Sequence, residues 1–324
     1  MKAIVTGISG QDGHFAAKLL ASKGYSVIGL TSDEAKVASA SAEFEGEPVE
    51  VRPFDYEQPG AITAVIEGER PNLIFNFAAK STGAGMFDEP LQMARLNAGF
   101  VLDILEAIQE VDPQIGFCQA SSAEMYGDVN TCPQDERTPF RPKSPYGAAK
   151  LYAHNLIGIY RATSRLRCSS AILYNHESLR RPTTFVTRKI ATAAAAIKLG
   201  LADHFTLGGI DARRDWGYAP EYVEAIFRMA TAEKPRDYVV ATGRLTSVEK
   251  VCEICFGYVD LEFRDYLEFD QSLKRPLETT NVCGDPSAIR RDLGWKAQVG
   301  IEQILVEMVE FELRKLGAGS DATP

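Results

Sequence analysis

Short apolar runs alternate with amphipathic stretches along the first half of the chain. The apolar and β-branched runs predict buried strands, and the stretches between them repeat apolar residues at the spacing of a helix with one buried face. The predicted strands are 2–6, 25–30, 49–52, 72–77, 114–120 and 168–174, and the predicted helices are 14–23, 61–67, 93–110 and 145–163. Buried strands that alternate with helices predict a parallel sheet with right-handed crossovers.

The pattern changes in the second half of the chain. A helix predicted at 187–199 is followed by loops rich in Gly, Asp, Arg and Pro, and a last helix is predicted at 301–315. We therefore predict an α/β fold with a Rossmann-type doubly wound parallel sheet over 1–175, to which some later segments return. A smaller C-terminal α/β lobe, interleaved with it, is expected at 176–316, and the polar residues at 317–324 predict a flexible tail.

Composition and charge exclude several classes of protein. Hydrophobic residues make up 45% and charged residues 24% of the 324 residues, as in globular chains and unlike disordered or collagen-like ones. Lys+Arg 35 against Asp+Glu 44 gives a net charge of −9, which repels a phosphate backbone unless a basic patch is present. The closest basic clusters are the pairs Arg180-Arg181 and Arg213-Arg214, so we expect no nucleic-acid partner.

The sequence also predicts where the protein works. The residues after Met1 and Lys2 predict a strand and not the apolar core of a signal peptide. No apolar run approaches the roughly 18 residues that span a bilayer, so we expect no membrane partner. Six scattered cysteines in a chain of this size suggest reduced thiols in the cytoplasm. Cys252 and Cys255 form a C-x-x-C without a second pair, which predicts buried thiols and no metal site.

A glycine-rich turn follows the first predicted strand and precedes a helix. In this setting G-x-x-G-x-x-G allows a tight turn, a close backbone approach to a pyrophosphate and close helix–strand packing, and the helix N-terminus faces the phosphates. The spacing is that of the short-chain dehydrogenase/reductase superfamily, which the chain resembles. The expected dinucleotide contacts are Gly7, Ile8, Ser9, Gly10, Gln11, Asp12 and Gly13.

The residues after the second predicted strand bear on the choice of dinucleotide. A ribose 2′-hydroxyl accepts Asp or Glu, whereas a 2′-phosphate usually requires Arg. The stretch Ser32-Asp33-Glu34 is acidic and lacks Arg, which favours NAD over NADP. Ser32 and Lys36 could still hold a phosphate, and the stretch could equally be a solvated turn.

A serine, a tyrosine and a lysine form a candidate catalytic group. Ser122 lies at the end of the fifth predicted strand, where open α/β sheets bind ligands. Tyr146 and Lys150 are four residues apart on one face of a helix that Ser144 caps. The ammonium is expected to lower the tyrosine pKa so that the phenol acts as a base, and Ser122 would bond the same substrate oxygen. The alternative is a Tyr and Lys on an ordinary helix surface.

Glu124 adds a carboxylate two residues beyond the serine. Oxidation and reduction alone need no such group, so Glu124 implies proton transfer at a neighbouring carbon. Once a substrate carbon is oxidised to a ketone, the adjacent C–H becomes acidic, and Glu124 could remove that proton while a β-hydroxyl leaves as water. Return of hydride would complete a 4,6-dehydration of a nucleotide hexose. The alternative is a salt-bridged glutamate at a strand end.

Several longer segments carry a family resemblance. The run NHESLRRPTTFVTRKI occupies 175–190, RDWG occupies 214–217 and RPLE occupies 275–278. Together with 144–150 and 237–243, these segments resemble GDP-mannose 4,6-dehydratases, and the likeness spans nearly the whole chain. The resemblance implies an extended short-chain dehydrogenase fold with a C-terminal nucleotide-sugar lobe, and a hydro-lyase that recycles a tightly bound NADP.

The resemblance also implies roles for the matched residues. The catalytic positions are Ser122, Glu124, Tyr146 and Lys150. Beyond the glycine loop, the expected cofactor contacts are Ser32, Asp55, Phe77, Ala78, Ala79, Ser81, Tyr146, Lys150, His176 and Arg181. The expected GDP-sugar contacts are Ser81, Asn175, Glu177, Lys189, Arg214, Arg275 and Glu278. Arg and Lys suit two phosphates, although Arg214 and Arg275 could instead form structural salt bridges.

The chain departs from the family pattern in four places. The paired arginines that hold the 2′-phosphate and help build a tetramer are replaced by Ser32 and Asp33, so NADP and NAD, and a homodimer and a tetramer, stay open. Ser122 replaces a threonine and keeps its hydroxyl. Small residues and Lys80 in the loop 79–88 could admit a different or larger sugar. The stretch between the second and third strands is shorter than in the family.

Two other functions stay open beside the dehydratase. A GDP-4-keto-6-deoxy-sugar reductase or an epimerase on the same fold would not need Glu124, and a reductase would consume its cofactor stoichiometrically. A cofactor-binding sensor without activity would be expected to lack catalytic groups, yet all four are present. The leading prediction is a 4,6-dehydratase acting on GDP-mannose or a related GDP-sugar.

Overall fold

Seven parallel strands form the central sheet in a computed structural model of the protein, which describes residues 1–80, 87, 89–127, 131–273 and 281–317. The strands are β1 (Lys2–Thr6), β2 (Ser26–Thr31), β3 (Val49–Pro53), β4 (Leu73–Asn76), β5 (Gly116–Ala120), β6 (Cys168–Leu173), β7 (Asn175–Glu177), β8 (Phe205–Leu207), β9 (Arg213–Arg214), β10 (Trp216–Tyr218), β11 (Tyr238–Val240), β12 (Thr246–Ser247), β13 (Leu267–Phe269) and β14 (Asn281–Val282). The helices are α1 (Gln11–Ser22), α2 (Glu34–Ala42), α3 (Ala61–Glu69), α4 (Pro90–Ala94), α5 (Phe100–Val111), α6 (Pro145–Thr163), α7 (Val186–Lys198), α8 (Ala219–Thr231), α9 (Val248–Tyr258), α10 (Ser287–Leu293) and α11 (Ile301–Gly317).

The order across the sheet is β11-β6-β5-β4-β1-β2-β3. The chain runs outwards from β1 through β2 to β3, and then restarts at β4 on the other side of β1. This change of direction opens a crevice beyond the C-terminal ends of β1 and β4, where sheets of this kind bind ligands. The predicted doubly wound α/β sheet is confirmed, and β11, from the second half of the chain, pairs in parallel with β6 at its edge.

Apolar layers cover both faces of the sheet. One layer contains Leu20 and Ile226, from α1 and α8, and the other contains Ile104 from α5. A third apolar cluster joins α7, α9 and α11 and encloses Cys252 and Cys255, whose thiols are free and buried as predicted. None of the described helices is long and apolar enough to cross a membrane. The boundaries proposed for the two lobes remain a prediction.

Helix α2 is absent from the sequence prediction. Its residues bury only Ala40, so the helical spacing of apolar residues that revealed the other helices is missing. The helix begins at Glu34 because the side chain of Asp33 accepts the N–H of Ala35 at 3.1 Å and caps its first turn. A polar cap, and not an apolar face, therefore marks this element.

The single long helix predicted at 93–110 is also corrected. Helix α4 ends at Ala94, a π-helical turn occupies Arg95–Gly99, and α5 follows it. The π-helical turn spans only five residues between two helical segments, which is too short for the spacing of apolar residues to reveal it. The turn buries the polar side chain of Asn97.

Candidate active site

The glycine loop joins β1 to α1 at the switch point of the sheet. Gly7 has a φ of +68°, and a Cβ there would lie 2.9 Å from the backbone nitrogen of Ala78. A Cβ on Gly13 would lie 2.3 Å from the carbonyl oxygen of Gly7, so only glycine lets α1 pack on the loop. Helix α1 has no side-chain cap at Gly10, which leaves its first N–H groups for an anion. The loop therefore fits the pyrophosphate of a dinucleotide.

Short polar and acidic residues lie at the ends of the neighbouring strands. Ser9 and Thr31 join the loop to the end of β2 through hydroxyl groups 3.0 Å apart. Beyond them Ser32 is exposed, and Asp33 forms an ion pair of 3.0 Å with Lys36. Asp55 is exposed after β3 and accepts a backbone N–H through Oδ1. Ser32, Asp33 and Asp55 thus stand where a bound adenosine ribose is expected.

A cavity of about 570 Å³ lies beyond the C-terminal ends of the central strands. Many of the residues predicted from the sequence line this one cavity, although they come from distant parts of the chain. They are Asp12, Phe77, Ala79, Ser122, Glu124, Tyr146, Lys150, Asn175, His176, Glu177, Arg181, Lys189 and Arg214. Ser81, Arg275 and Glu278 fall outside the described residues.

Ser122, Tyr146 and Lys150 are brought together by β5 and α6. Ser144 caps α6 as predicted, accepting the N–H of Gly147 at 3.0 Å, and this sets the first turn that carries Tyr146. Lys150 is 2% exposed, and its Nζ donates to the carbonyl oxygen of Ala120 at 2.8 Å. The same Nζ lies 5.7 Å from the centroid of the Tyr146 ring. The tyrosine and lysine are therefore a buried pair and not part of an ordinary helix surface.

The electrostatics of this pair differ from the prediction. Burial raises the pKa of Tyr146, a hydrogen bond with Ser122 partly offsets that rise, and the charge of Glu124 adds to it. Burial also lowers the pKa of Lys150 to about 7. The pKa of the phenol therefore lies above its ordinary value and not below it, because both groups leave water and desolvation disfavours each charged form. The effect of Lys150 on the phenol stays a prediction.

Glu124 is exposed to the cavity from a single 3₁₀ turn, Ala123–Met125, that follows β5. The side chain of Ser122 caps that turn by accepting the N–H of Glu124 at 3.2 Å. One short segment thus carries both the serine hydroxyl and the carboxylate. The spacing of two residues places them on the same side of the cavity as Tyr146, whose pKa responds to the Glu124 charge.

His176, on β7, contacts the glycine loop. Its Nε2 lies 3.0 Å from both carboxylate oxygens of Asp12, and its Nδ1 lies 2.7 Å from the carbonyl oxygen of Tyr174. The ring also stacks on Tyr222 with centroids 4.8 Å apart. Burial by itself would raise the pKa of Asp12 and lower that of His176. The opposite charge of each partner outweighs burial, so the pKa of Asp12 is lowered and that of His176 is raised. Both ring nitrogens of His176 are therefore engaged within the protein, while its expected contact with the cofactor stays a prediction.

Glu177 and Arg181 form a second buried group on the same wall. Glu177 is 1% exposed and accepts the hydroxyl of Thr187 at 2.6 Å, and the Nε of Arg181 lies 3.2 Å from the same carboxylate oxygen. The Arg181 guanidinium lies over the ring of Phe185 at 3.6 Å. These contacts fix the start of α7 at Val186 and hence the position of Lys189, three residues later.

Arg214 reaches the cavity from a three-stranded sheet formed by β12, β9 and β14. The next residue, Asp215, is fully buried and accepts N–H groups of Thr242 and Gly243 at 2.9 and 2.8 Å. Burial raises the Asp215 pKa, and these hydrogen bonds oppose the rise. Asp215 anchors β9, so the arginine beside it has a fixed place in the wall.

The comparisons with known proteins decide the family. The family model described as GDP-mannose 4,6 dehydratase matches residues 4–308. The chain belongs to the GDP-mannose 4,6-dehydratase family. It is 39% identical over 323 residues to GDP-mannose 4,6 dehydratase 2 of Arabidopsis thaliana, with 96% of this chain and 86% of that protein covered. It is 36% identical to GDP-mannose 4,6-dehydratase of Sinorhizobium fredii, with 97% of each chain covered.

Solved structures share the fold of this family member at lower identity. UDP-glucose 4-epimerase from Thermotoga maritima matches with a TM-score of 0.86 and 20% identity, and the match covers 98% of this chain and 100% of that one. The dTDP-glucose 4,6-dehydratase from Bacillus anthracis, solved in complex with NAD, matches with a TM-score of 0.85 and 19% identity, covering 99% of this chain and 98% of that one. At these identities the likeness shows the fold alone.

Two polar residues of this family member that bond segments next to the site were not predicted from the sequence. Asn97, on the π-helical turn, donates to the carbonyl oxygen of Lys80 at 3.2 Å, while its buried Oδ1 has no hydrogen-bond partner within the described ranges. Tyr56 bonds the glycine loop directly, with its hydroxyl 3.0 Å from the nitrogen of Gly7. Neither belongs to a motif, and only the residue types Asn and Tyr beside buried positions could have drawn attention to them.

Proposed function

We propose that the protein is a nucleotide-sugar 4,6-dehydratase that converts GDP-mannose, or a closely related GDP-sugar, to the GDP-4-keto-6-deoxy-sugar. One observation carries this proposal. The carboxylate of Glu124 opens into the same cavity as Ser122, Tyr146 and the cationic side chains of Lys189 and Arg214. A proton acceptor, a phenol and two phosphate-binding cations in one cavity match a dehydration of a nucleotide-linked sugar.

The chemistry follows from the roles that the cavity allows. NAD(P), when bound, supplies a hydride acceptor for C4 and a hydride donor for C6, so no net redox change results. Tyr146 must pass on its own phenol proton before it takes the proton of the sugar 4-hydroxyl, and the neighbouring Lys150 amine is the proposed acceptor for it. Ser122 bonds the same sugar oxygen. The Lys150 amine, with a pKa near 7, exchanges a proton close to neutral pH and is held by the Ala120 carbonyl. Glu124 then removes the acidic proton at C5 and assists loss of the C6 hydroxyl as water.

The nucleotide is proposed to lie along the second-lobe wall. Lys189 and Arg214 bind the diphosphate, and Asn175 and Glu177 complete that side of the cavity. Glu177 is tied to Thr187 and Arg181, so it acts by holding the wall in shape more than by direct contact. The roles of Ser81, Arg275 and Glu278 stay predictions from the sequence.

The cofactor is proposed to be NAD in preference to NADP. The carboxylate of Asp33, held by its cap to Ala35 and its pair with Lys36, would face a 2′-phosphate and repel it. A bare 2′-hydroxyl can instead donate a hydrogen bond to a carboxylate. The glycine loop and the uncapped start of α1 suit the pyrophosphate of either cofactor.

We also propose that the protein is a homodimer in the cytoplasm. Tyr152 and Ile159 on α6 are 51% and 54% exposed and lie seven residues apart, on one face of the helix. A second copy would cover these apolar side chains, with α5 and α6 of each subunit in the interface. A tetramer would add a second interface, and the missing arginine pair makes the dimer the favoured state.

A single incubation tests the function. The purified protein is mixed with GDP-mannose without added cofactor, and the products are analysed by mass spectrometry. Loss of one water with the nucleotide intact supports the dehydratase, and the released cofactor is identified in the same sample. No loss of water from GDP-mannose or from other GDP-hexoses and GDP-heptoses would contradict it. Stoichiometric NADH or NADPH consumption with a GDP-4-keto-6-deoxy-sugar would instead support the reductase.

A further inference from the structure

Tyr56 occupies an unusual position beneath the glycine loop. It follows β3, and its hydroxyl donates to the carbonyl oxygen of Leu30 at 2.9 Å and accepts the N–H of Gly7 at 3.0 Å. The same Gly7 N–H also reaches Leu30 oxygen at 2.9 Å. The Tyr56 hydroxyl, the Leu30 carbonyl at the end of β2 and the Gly7 N–H are thus each hydrogen-bonded to the other two. The sequence analysis assigned Tyr56 no role.

The phenol is held rigidly by its neighbours. The Tyr56 ring makes edge-to-face contacts with Phe54 and Phe100, with ring centroids 4.9 Å apart in each case. Phe54 lies at the end of β3 and Phe100 at the start of α5, and both are buried. Two elements on opposite sides therefore fix the ring, and the hydroxyl has no alternative position.

Gly7 is the residue whose conformation matters most at this point. Its φ of +68° lies in the left-handed region, and the backbone of Phe77 and Ala78 approaches it from the side of β4. The phenol of Tyr56 approaches from the side of β3. The turn is thus confined from both sides before a dinucleotide arrives, and such preorganisation lowers the entropic cost of binding.

We propose that Tyr56 is a positioning residue for the dinucleotide: its hydroxyl holds the first turn of the glycine loop in the shape that receives the pyrophosphate. The proposal rests on the proposed function only in that the loop binds NAD or NADP. Tyr56 bonds Gly7 of the glycine loop, and in the described part of the chain it touches none of the residues proposed to bind the diphosphate, Lys189 and Arg214. Its effect should therefore appear in dinucleotide binding and not in nucleotide-sugar binding.

The test compares Tyr56→Phe with the full-length wild-type protein. Removing the hydroxyl leaves the Leu30 oxygen bonded to the N–H groups of Gly7 and Ile8, so no buried group loses its last partner and the fold should persist. We expect the dissociation constants of NADH and NADPH to rise about three- to tenfold in calorimetry. In the protein freed of dinucleotide, amide exchange of the peptide that spans Gly7 and Ile8 should accelerate, while the affinity for GDP stays within about twofold.

Tyr238→Phe is the matched control. Tyr238 is also buried, and its hydroxyl lies 3.3 Å from Asp292 on the far edge of the same sheet. It should change neither dinucleotide affinity nor exchange in the glycine loop. Unchanged dinucleotide affinity in Tyr56→Phe, an equal loss of GDP binding, or a variant that fails to fold would each overturn the proposal. A wild-type protein that binds neither NADH nor NADPH would overturn the proposed function as well.

Discussion

The proposed dinucleotide side and the proposed sugar-nucleotide side of the site consist of different chemical groups. The dinucleotide side is mainly backbone: the turn at Gly7, the close contact at Gly13 and the uncapped start of α1, with one phenol beneath them. The proposed sugar-nucleotide side is mainly charged side chains, of which Lys189 and Arg214 are proposed to bind the diphosphate. Backbone recognition depends on shape, whereas side-chain recognition depends on which groups carry charge. Substitutions on the two sides should therefore impair binding or catalysis for different physical reasons.

The largest expected effect comes from removing the proton acceptor on the sugar side. Glu124→Gln keeps the shape of the side chain and loses its basicity, so water loss from the GDP-sugar should slow about a thousandfold. Mass spectrometry of timed reactions measures the rate of water loss. NADH affinity, measured in parallel, should be unchanged, because Glu124 belongs to the turn after β5 and not to the glycine loop. Unimpaired water loss in this variant would refute the assigned role.

The second largest effect is expected from a substitution that changes only the shape of the glycine loop. Gly13→Ala places a Cβ 2.3 Å from the carbonyl oxygen of Gly7, so α1 must shift away from the loop. We expect NADH affinity to fall at least about a hundredfold, because a backbone clash cannot be relieved by rotating a side chain. Calorimetry measures it. Gly257→Ala, where a Cβ meets nothing within 4 Å, is the control and should bind normally. Equal affinities in the two variants would contradict the model of a shape-based cradle.

The third effect concerns the ion pair that joins the two sides. The His176 pKa is raised above 6.5, so the stability it contributes is complete below pH 6.5 and is lost as the pH rises through the folded pKa. The Asp12 pKa is lowered below 3.8, so its contribution is present above pH 3.8 and is lost as the pH falls. The pair therefore contributes most between these limits.

His176→Asn leaves Asp12 without its partner and should lower the free energy of unfolding by about 2 kcal/mol at pH 6. Urea unfolding at pH 6 and at pH 8.5 measures the difference between wild type and variant, which should shrink at the higher pH. A difference that stays constant between the two pH values would show that the histidine does not titrate between them and would contradict this prediction. His204→Asn, at an exposed ion pair, is the control and should cost far less.

The smallest effect adds charge to the dinucleotide side. Ser32→Arg should raise the affinity for NADP relative to NAD about tenfold, because a guanidinium pairs with the 2′-phosphate. Ser32 is exposed, so the substitution should leave the fold intact. Calorimetric titrations with both cofactors measure the ratio. Ser32→Ala removes the hydroxyl without adding charge and should leave the ratio of NADP to NAD affinity nearly unchanged. A ratio unaffected by arginine would place the 2′ position elsewhere.

The elements that the sequence predicted well are those with a strong local signal. Helix α6 begins where Ser144 and Pro145 predicted it, because a cap and a proline act within one turn. Helix α2 was missed since only Ala40 is buried, and the π-helical turn was missed since it spans only five residues between two helices. Local chemistry was therefore predictable wherever it left a local pattern.

The sequence by itself determined the alternation of strands and helices, the glycine loop, and the serine, glutamate, tyrosine and lysine of the candidate catalytic group. Each depends on residues a few positions apart. Only the tertiary structure decided that burial raises the Tyr146 pKa, that His176 faces Asp12 and that Tyr56 supports Gly7. These contacts join residues far apart in the chain, and desolvation depends on what surrounds a group in space. No local pattern records either of them.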